Sequence, residues 1–141
     1  MGKLPSSFYN QSGVIPYKIV DGKIKVLLIT SRKGKNWIIP KGIVEKGMSA
    51  KVSAVKEAYE EAGILGKAIG SEIGKYKYKK WEGVCTVSLY LFLVEKQLKK
   101  WEEDFRKRNW FSVNQAIEII NTKKLKKTIS ELPEIIKQKS L

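Results

Sequence analysis

The chain has 141 residues, 43% of them hydrophobic, which suits one folded domain with one core and argues against a disordered chain. Its 28 Lys and Arg against 14 Asp and Glu give a net charge of +14, a balance that favours anionic partners. It has no histidine, which excludes every mechanism needing an imidazole, and its single cysteine excludes an internal disulfide and a cysteine-built zinc site.

Only three of the basic residues are arginine: Arg32, Arg106 and Arg108. A lysine excess mostly solvates a surface, whereas arginine is the better bidentate ligand for phosphate. No apolar run reaches membrane-spanning length, and MGKLPSSFYN lacks the apolar stretch of a signal peptide. The expected location is therefore cytoplasmic, with no membrane partner.

Residues 1–11 are expected to form a flexible arm and residues 12–141 a single domain. Gly13 to Val20 and Lys23 to Thr30 read as two strands around the turn Asp21-Gly22. Val26 to Ile29 is apolar throughout, as in a strand buried on both faces. Ser31 to Asn36 is a basic loop, and Trp37-Ile38-Ile39 a short strand stopped by Pro40. Glycine turns are expected at Gly42 and near Gly47. A helix follows over about Ser49 to Ala62, with Ser49 as N-cap and Gly63 in the helix-ending position. Ala50, Ala54, Ala58 and Ala62 recur every four residues and give it a smooth face able to lie close to a sheet.

Beyond it, Lys75, Lys77 and Lys79 alternate with Tyr76 and Tyr78, which predicts a sheet with one wet, basic face. Trp81-Glu82-Gly83 reads as a turn and Val84 to Val94 as a long apolar strand holding Cys85 in the core. Lys96 to Asn109 is charged and irregular. Ser112 to Gln115 spells a capping box before a helix through Ala116 and Ile120. A last helical segment covers about Lys124 to Gln138, kinked or restarted at Pro133. The class is α/β, a helix–mixed sheet–helix sandwich.

The helix after Ser49 carries the chemistry. Glu57, Glu60 and Glu61 are three and four residues apart and share one side of a regular helix. Like charges at these spacings repel by a few tenths of a kcal/mol per pair. A solvated acidic face relieved by Lys56 is one reading. The other is a hard divalent cation, which takes carboxylate oxygens, keeps several waters and bridges to substrate phosphates. A carboxylate not saturated by metal can take the proton from an attacking water.

Pro40 to Ile64 resembles the signature of the Nudix hydrolases, G-x5-E-x7-R-E-U-x-E-E-x-G-U with U a bulky aliphatic residue. It falls on Gly42, Met48, Lys56, Glu57, Ala58, Glu60, Glu61, Gly63 and Ile64. Ser31-Arg32 and the run Arg106 to Phe111 are similar to the branch acting on diphosphoinositol polyphosphates and diadenosine polyphosphates. The resemblance implies a Nudix fold and hydrolysis of a diphosphate bond with Mg²⁺, or Mn²⁺ in its place, water attacking phosphorus. It implies Glu57, Glu60 and Glu61 as metal ligands and catalytic residues, with Glu60 a ligand or the general base and Glu82 a weaker candidate for the base. The backbone at Lys41 and Gly42 would add a ligand and meet the substrate, and Arg32, Arg106 and Lys124 would hold polyphosphate.

Three positions depart from the signature: Met48 for Glu, Lys56 for Arg, and Ala58 for a larger aliphatic residue. The missing Glu and Arg brace the loop on the helix in the family, and Glu45 is placed to substitute in part. Ser12-Gly13-Val14 stands where the inositol branch has a basic cluster, which favours a dinucleoside polyphosphate or a nucleotide sugar over a diphosphoinositol. The expected partner is an anionic diphosphate or polyphosphate. The alternatives are a nucleotide- or RNA-binding module of the same fold with weakened catalysis, and an RNA 5′ pyrophosphohydrolase; nucleic acid is the less favoured partner.

Overall fold

Asp21 and Gly22 both adopt positive φ, 52° and 78°, the backbone of a type I′ turn, whose twist matches the strands it joins. The turn closes the hairpin between β1 (Tyr9–Val20) and β2 (Lys23–Thr30). The structure, a computed structural model, describes residues 9–80 and 83–139. The next elements are β3 (Trp37–Ile38), β4 (Lys41–Ile43) and α1 (Ala50–Glu57), which continues as a π-helical turn, Ala58–Ala62. Then come β5 (Ile64–Lys80), β6 (Gly83–Gln97), β7 (Arg108–Ser112), α2 (Val113–Ile119), α3 (Lys123–Ser130) and α4 (Leu132–Lys139).

The strands lie in the order β3-β2-β1-β6-β5, with β4 paired to β1 and β7 to β2. β1 and β6 run parallel from Tyr9↔Cys85 to Tyr17↔Leu93, and the other pairings are antiparallel, so the sheet is mixed. One face packs Val14, Leu27, Ile29 and Phe92 on Ala54, Ala58 and Ala62. The other packs Ile15, Val26, Leu28 and Leu89 on Ala116, Leu125, Ile129 and Leu132. Val26 to Ile29 is fully buried on both sides, as its unbroken apolarity predicts, and Cys85 is core. The alanine stripe brings α1 close to the sheet, and the result is the expected helix–sheet–helix sandwich.

Two expectations change. β1 begins at Tyr9, so residues 9–11, assigned above to the flexible arm, belong to the sheet; residues 1–8 lie outside the described residues. Gly42 is not a turn but the middle of β4, paired with Ser12. Both misreadings have one cause: Gln11 and Ser12 are polar yet buried, so hydropathy patterning does not mark the strand that β4 joins. The final helical segment restarts near Pro133, as expected: it is two helices, with Pro133 in the first turn of α4, where its missing N–H is harmless. Trp81 and Glu82 lie outside the described residues, so the structure does not place Glu82.

Candidate active site

Ser49 caps α1, its Oγ accepting from the Val52 N–H at 3.1 Å. The helix is regular to Glu57 and then widens into the π turn that holds Glu60 and Glu61, a local form often found at functional sites. The three carboxylates divide there. Glu57 and Glu61 converge on β4, each close enough to act on the other's titration. The Lys41 backbone N–H donates to Glu61 Oε1 at 3.1 Å. A Cβ on residue 42 would run into the Glu57 carboxylate, so Gly42 is needed for close approach. Glu60 turns instead to Lys56, whose Nζ lies 2.6 Å from its Oε2 and 2.7 Å from Glu45 Oε2. Glu45 first, then Glu60, raises the pKa of the Lys56 ammonium.

Burial pushes Glu61 up to about 8; the Lys41 N–H and Arg106 offset this in part, and the charges of Glu57 and Glu103 add to it. Glu57 is raised by burial and by the charge of Glu60, against Lys56 and Glu61. A buried carboxyl raised in this way holds its proton near neutral pH, and a hard cation can take that proton's place. The donor set, carboxylate oxygens beside a strand backbone, fits Mg²⁺ or Mn²⁺, which needs only one or two carboxylates besides water and substrate phosphate. Among the described residues, no three acidic side chains are arranged to hold a metal ion as they stand. The expected set of Glu57, Glu60 and Glu61 is therefore a pair with a third member held on Lys56.

The irregular loop after β6 builds the other wall. The last carbonyls of the π turn lack partners within the helix, and this loop supplies them. Glu103 N–H donates to the Glu60 carbonyl at 3.0 Å, Trp101 Nε1 to that of Glu61 at 2.9 Å, and Arg108 Nη1 to that of Ala62 at 2.9 Å. Leu98 N–H donates to the Gly63 carbonyl at 2.8 Å, and the Arg108 guanidinium stacks on the Trp101 ring at 3.7 Å. Gly63 has φ 63° and faces the Trp101 side chain with no room for a Cβ. Gly63→Ala is expected to combine a left-handed strain of roughly 1–2 kcal/mol with this collision, lowering the denaturation midpoint well beyond a surface change; equilibrium unfolding in urea reads it.

The basic residues divide. Arg32 is exposed, with Nη2 3.7 Å from Glu103 Oε1 and its guanidinium over the exposed Phe105 ring. Arg106, expected as a phosphate ligand, is 7% exposed. Its Nε and Nη2 bind Glu103 Oε1 at 3.0 and 2.8 Å and its Nη1 binds the Thr30 carbonyl at 2.9 Å, so it braces the loop on β2. Lys124 lines a cavity of about 280 Å³ with Lys75, Lys127 and Glu131, between β5 and α3, in which Glu57, Glu60 and Glu61 take no part. Lys41 Nζ lies 3.3 Å from both Gln11 Oε1 and Tyr78 OH. Glu103, Trp101 and Arg108 escaped the sequence reading because their loop has no period; the one signal was the clustering of two of the three arginines in it.

A family model described as "NUDIX domain" matches residues 10–132. Nudix hydrolase 21, chloroplastic, of Arabidopsis thaliana is 37% identical over 114 residues, covering 76% of this chain and 57% of that protein. Human diphosphoinositol polyphosphate phosphohydrolase 3-alpha is 29% identical over 123 residues, covering 85% and 74%. Among solved structures, a C. elegans Ap4A hydrolase binary complex superposes with TM-score 0.78 at 20% identity, covering 92% of this chain and 98% of that one. The chain spans little more than half the length of the first of these relatives. No helix among the described residues is long and apolar enough to cross a membrane.

Proposed function

Because this chain belongs to the Nudix family, we propose that it is a divalent-metal-dependent hydrolase of the phosphoric anhydride bond in a nucleoside diphosphate derivative or related polyphosphate. The observation that carries the reading is the Glu57–Glu61 pair, buried together against the backbone of Lys41 and Gly42. A cation bound there supplies Lewis-acid stabilisation and a more acidic water. Glu57 and Glu61 would hold it. Glu60, at the same turn, serves as a further ligand or accepts the proton of the attacking water once it leaves Lys56. Arg32, exposed at the rim, neutralises phosphate charge. Water adds to phosphorus, the bond to the bridging oxygen breaks, and that oxygen leaves on the other phosphate.

Two placements favour a nucleotide over a diphosphoinositol. Arg106 is committed to Glu103 and Thr30, and Lys124 belongs to another cavity. The dense cationic cradle that an inositol polyphosphate needs is thus short of two members. A second reading, a binding module with weakened catalysis, is favoured by the Lys56–Glu60 ion pair.

A panel of nucleotide sugars, dinucleoside polyphosphates, diphosphoinositol polyphosphates and 5′-triphosphate RNA, assayed with Mg²⁺ and Mn²⁺, separates the two. Turnover on a nucleotide substrate that needs metal and falls at least about 100-fold in Glu57→Gln is the expected result. Nucleotide binding with equally negligible turnover in both proteins would favour the binding module.

A further inference from the structure

The Nudix signature places a glutamate at residue 48 and an arginine at residue 56; this chain has Met48 and Lys56. Read as a loss of both partners, the change would leave the loop between β4 and α1 without its tie to the helix. The geometry is different. The Met48 N–H donates to the Glu45 carbonyl at 3.0 Å and Gly47 has φ 84°, so residues 45–48 form one tight turn with Gly in the position that demands positive φ. Residues 45 and 48 are the two ends of that turn and lie side by side. The carboxylate stands three residues earlier in the sequence, at the other end of the same turn. From there Glu45 Oε2 reaches Lys56 Nζ at 2.7 Å, and the same ammonium reaches Glu60 Oε2 at 2.6 Å. The Glu45 N–H lies 3.3 Å from Ser53 Oγ, whose hydroxyl also bonds the Ile43 carbonyl at 3.3 Å, so the turn is fastened to α1 at two further points.

We infer that Glu45 is the positioning carboxylate of this site: through Lys56 it takes over the bracing role that the signature gives to residue 48 and fixes where Glu60 stands beside the Glu57–Glu61 pair. The inference rests on the proposed metal-dependent reading of that pair. Its physical basis is that Lys56 is shared. With Glu45 present, the ammonium is anchored on the loop and Glu60 can exchange it for the cation. Without Glu45, Lys56 has Glu60 alone and competes with the cation for it.

Titration calorimetry with Mn²⁺ alone, with no substrate, tests this on the full chain. Glu45→Gln is expected to weaken Mn²⁺ binding about 10-fold with little change in the melting temperature, since the pair is half exposed. Met48→Glu added to Glu45→Gln should restore most of the affinity, and Met48→Gln added in the same way should not. Glu118→Gln, the same charge change on the outer face of α2, should leave binding as in the wild type. With any substrate found, Glu45→Gln should lower kcat more than it raises KM. If the wild type takes up no Mn²⁺, the functional reading falls and this one with it. If the wild type binds and Glu45→Gln binds equally tightly, or if Met48→Glu restores nothing to the folded variant, only this inference is overturned.

Discussion

Glu61→Gln is expected to reduce turnover at least about 100-fold and, in the same molecule, to raise the melting temperature of the metal-free protein at pH 8. Both effects follow from one placement. Glu61 is turned inward beside Glu57, and burial pushes its carboxyl up to about 8 from an ordinary 4.5. Its folded-state pKa lies above its unfolded one, so between these values the folded chain holds the extra proton. The stability this contributes is complete below pH 4.5 and is lost as the pH rises through about 8. Above that point the metal-free fold carries an ionised carboxylate pair with no cation between its members. Glutamine keeps the acceptor for the Lys41 N–H and removes the charge. Melting curves of metal-free wild type should therefore fall from pH 5 to pH 8, and those of the variant should fall much less. Equal pH slopes in the two proteins would show that Glu61 is not the buried acid described.

The same proton links metal to pH. At pH 7 a metal-free Glu61 is mostly protonated, so loading Mg²⁺ must release close to one proton. Apparent affinity should rise about 10-fold per pH unit below 8 and level off above it. Calorimetry in two buffers of different ionisation heat counts the proton directly.

The sandwich was legible because its parts obey local rules. Asp21-Gly22, the alanine stripe, the Ser112 capping box and the alternation of Lys75 to Lys79 each reappear in the structure for the reason that made them readable. The carboxylates were legible as a spacing on a helix, but their division was not. The Lys56–Glu60 ion pair is the i,i+4 contact that any helix allows, and spacing alone does not say whether Glu60 keeps to Lys56 or to its fellow carboxylates. The loop that clamps this turn was opaque, because Trp101, Glu103 and Arg108 act through hydrogen bonds to carbonyls 40 to 46 residues away, in no periodic register. In hindsight the rare arginines were the pointer: all three lie at this loop, Arg32 against Glu103, Arg106 bonded to it, and Arg108 on the end of the π turn. Two of them serve the architecture, which leaves Arg32 as the one with the exposure that the expected phosphate role needs.

Gly42→Ala and Gly13→Ala are the same substitution on two paired strands, and they are expected to fail in opposite ways. Gly13 pairs with Lys41, and a Cβ there would meet the Pro40 carbonyl oxygen at 2.7 Å and the Lys41 Cβ at 2.8 Å. Those atoms belong to the strand and to the root of its side chain, and they cannot move without breaking the β1–β4 pairing. Gly13→Ala should thus lose stability by roughly 1–3 kcal/mol, the ordinary range for overpacking. Gly42 is different. Neither its φ nor its strand pairing forbids alanine, and the atoms its Cβ would meet are the far end of the Glu57 side chain. That carboxylate can swing aside, taking with it one of the two side chains proposed to hold the cation. Gly42→Ala should fold with a melting temperature near that of the wild type, bind Mn²⁺ at least about 10-fold more weakly, and lose about 100-fold in kcat, the scale of a displacement of about 1 Å at a reacting centre. Unfolding and metal titration measured on both variants decide the matter. A Gly42→Ala protein with native Mn²⁺ affinity and native turnover would mean that the Glu57 carboxylate does its work elsewhere than against β4.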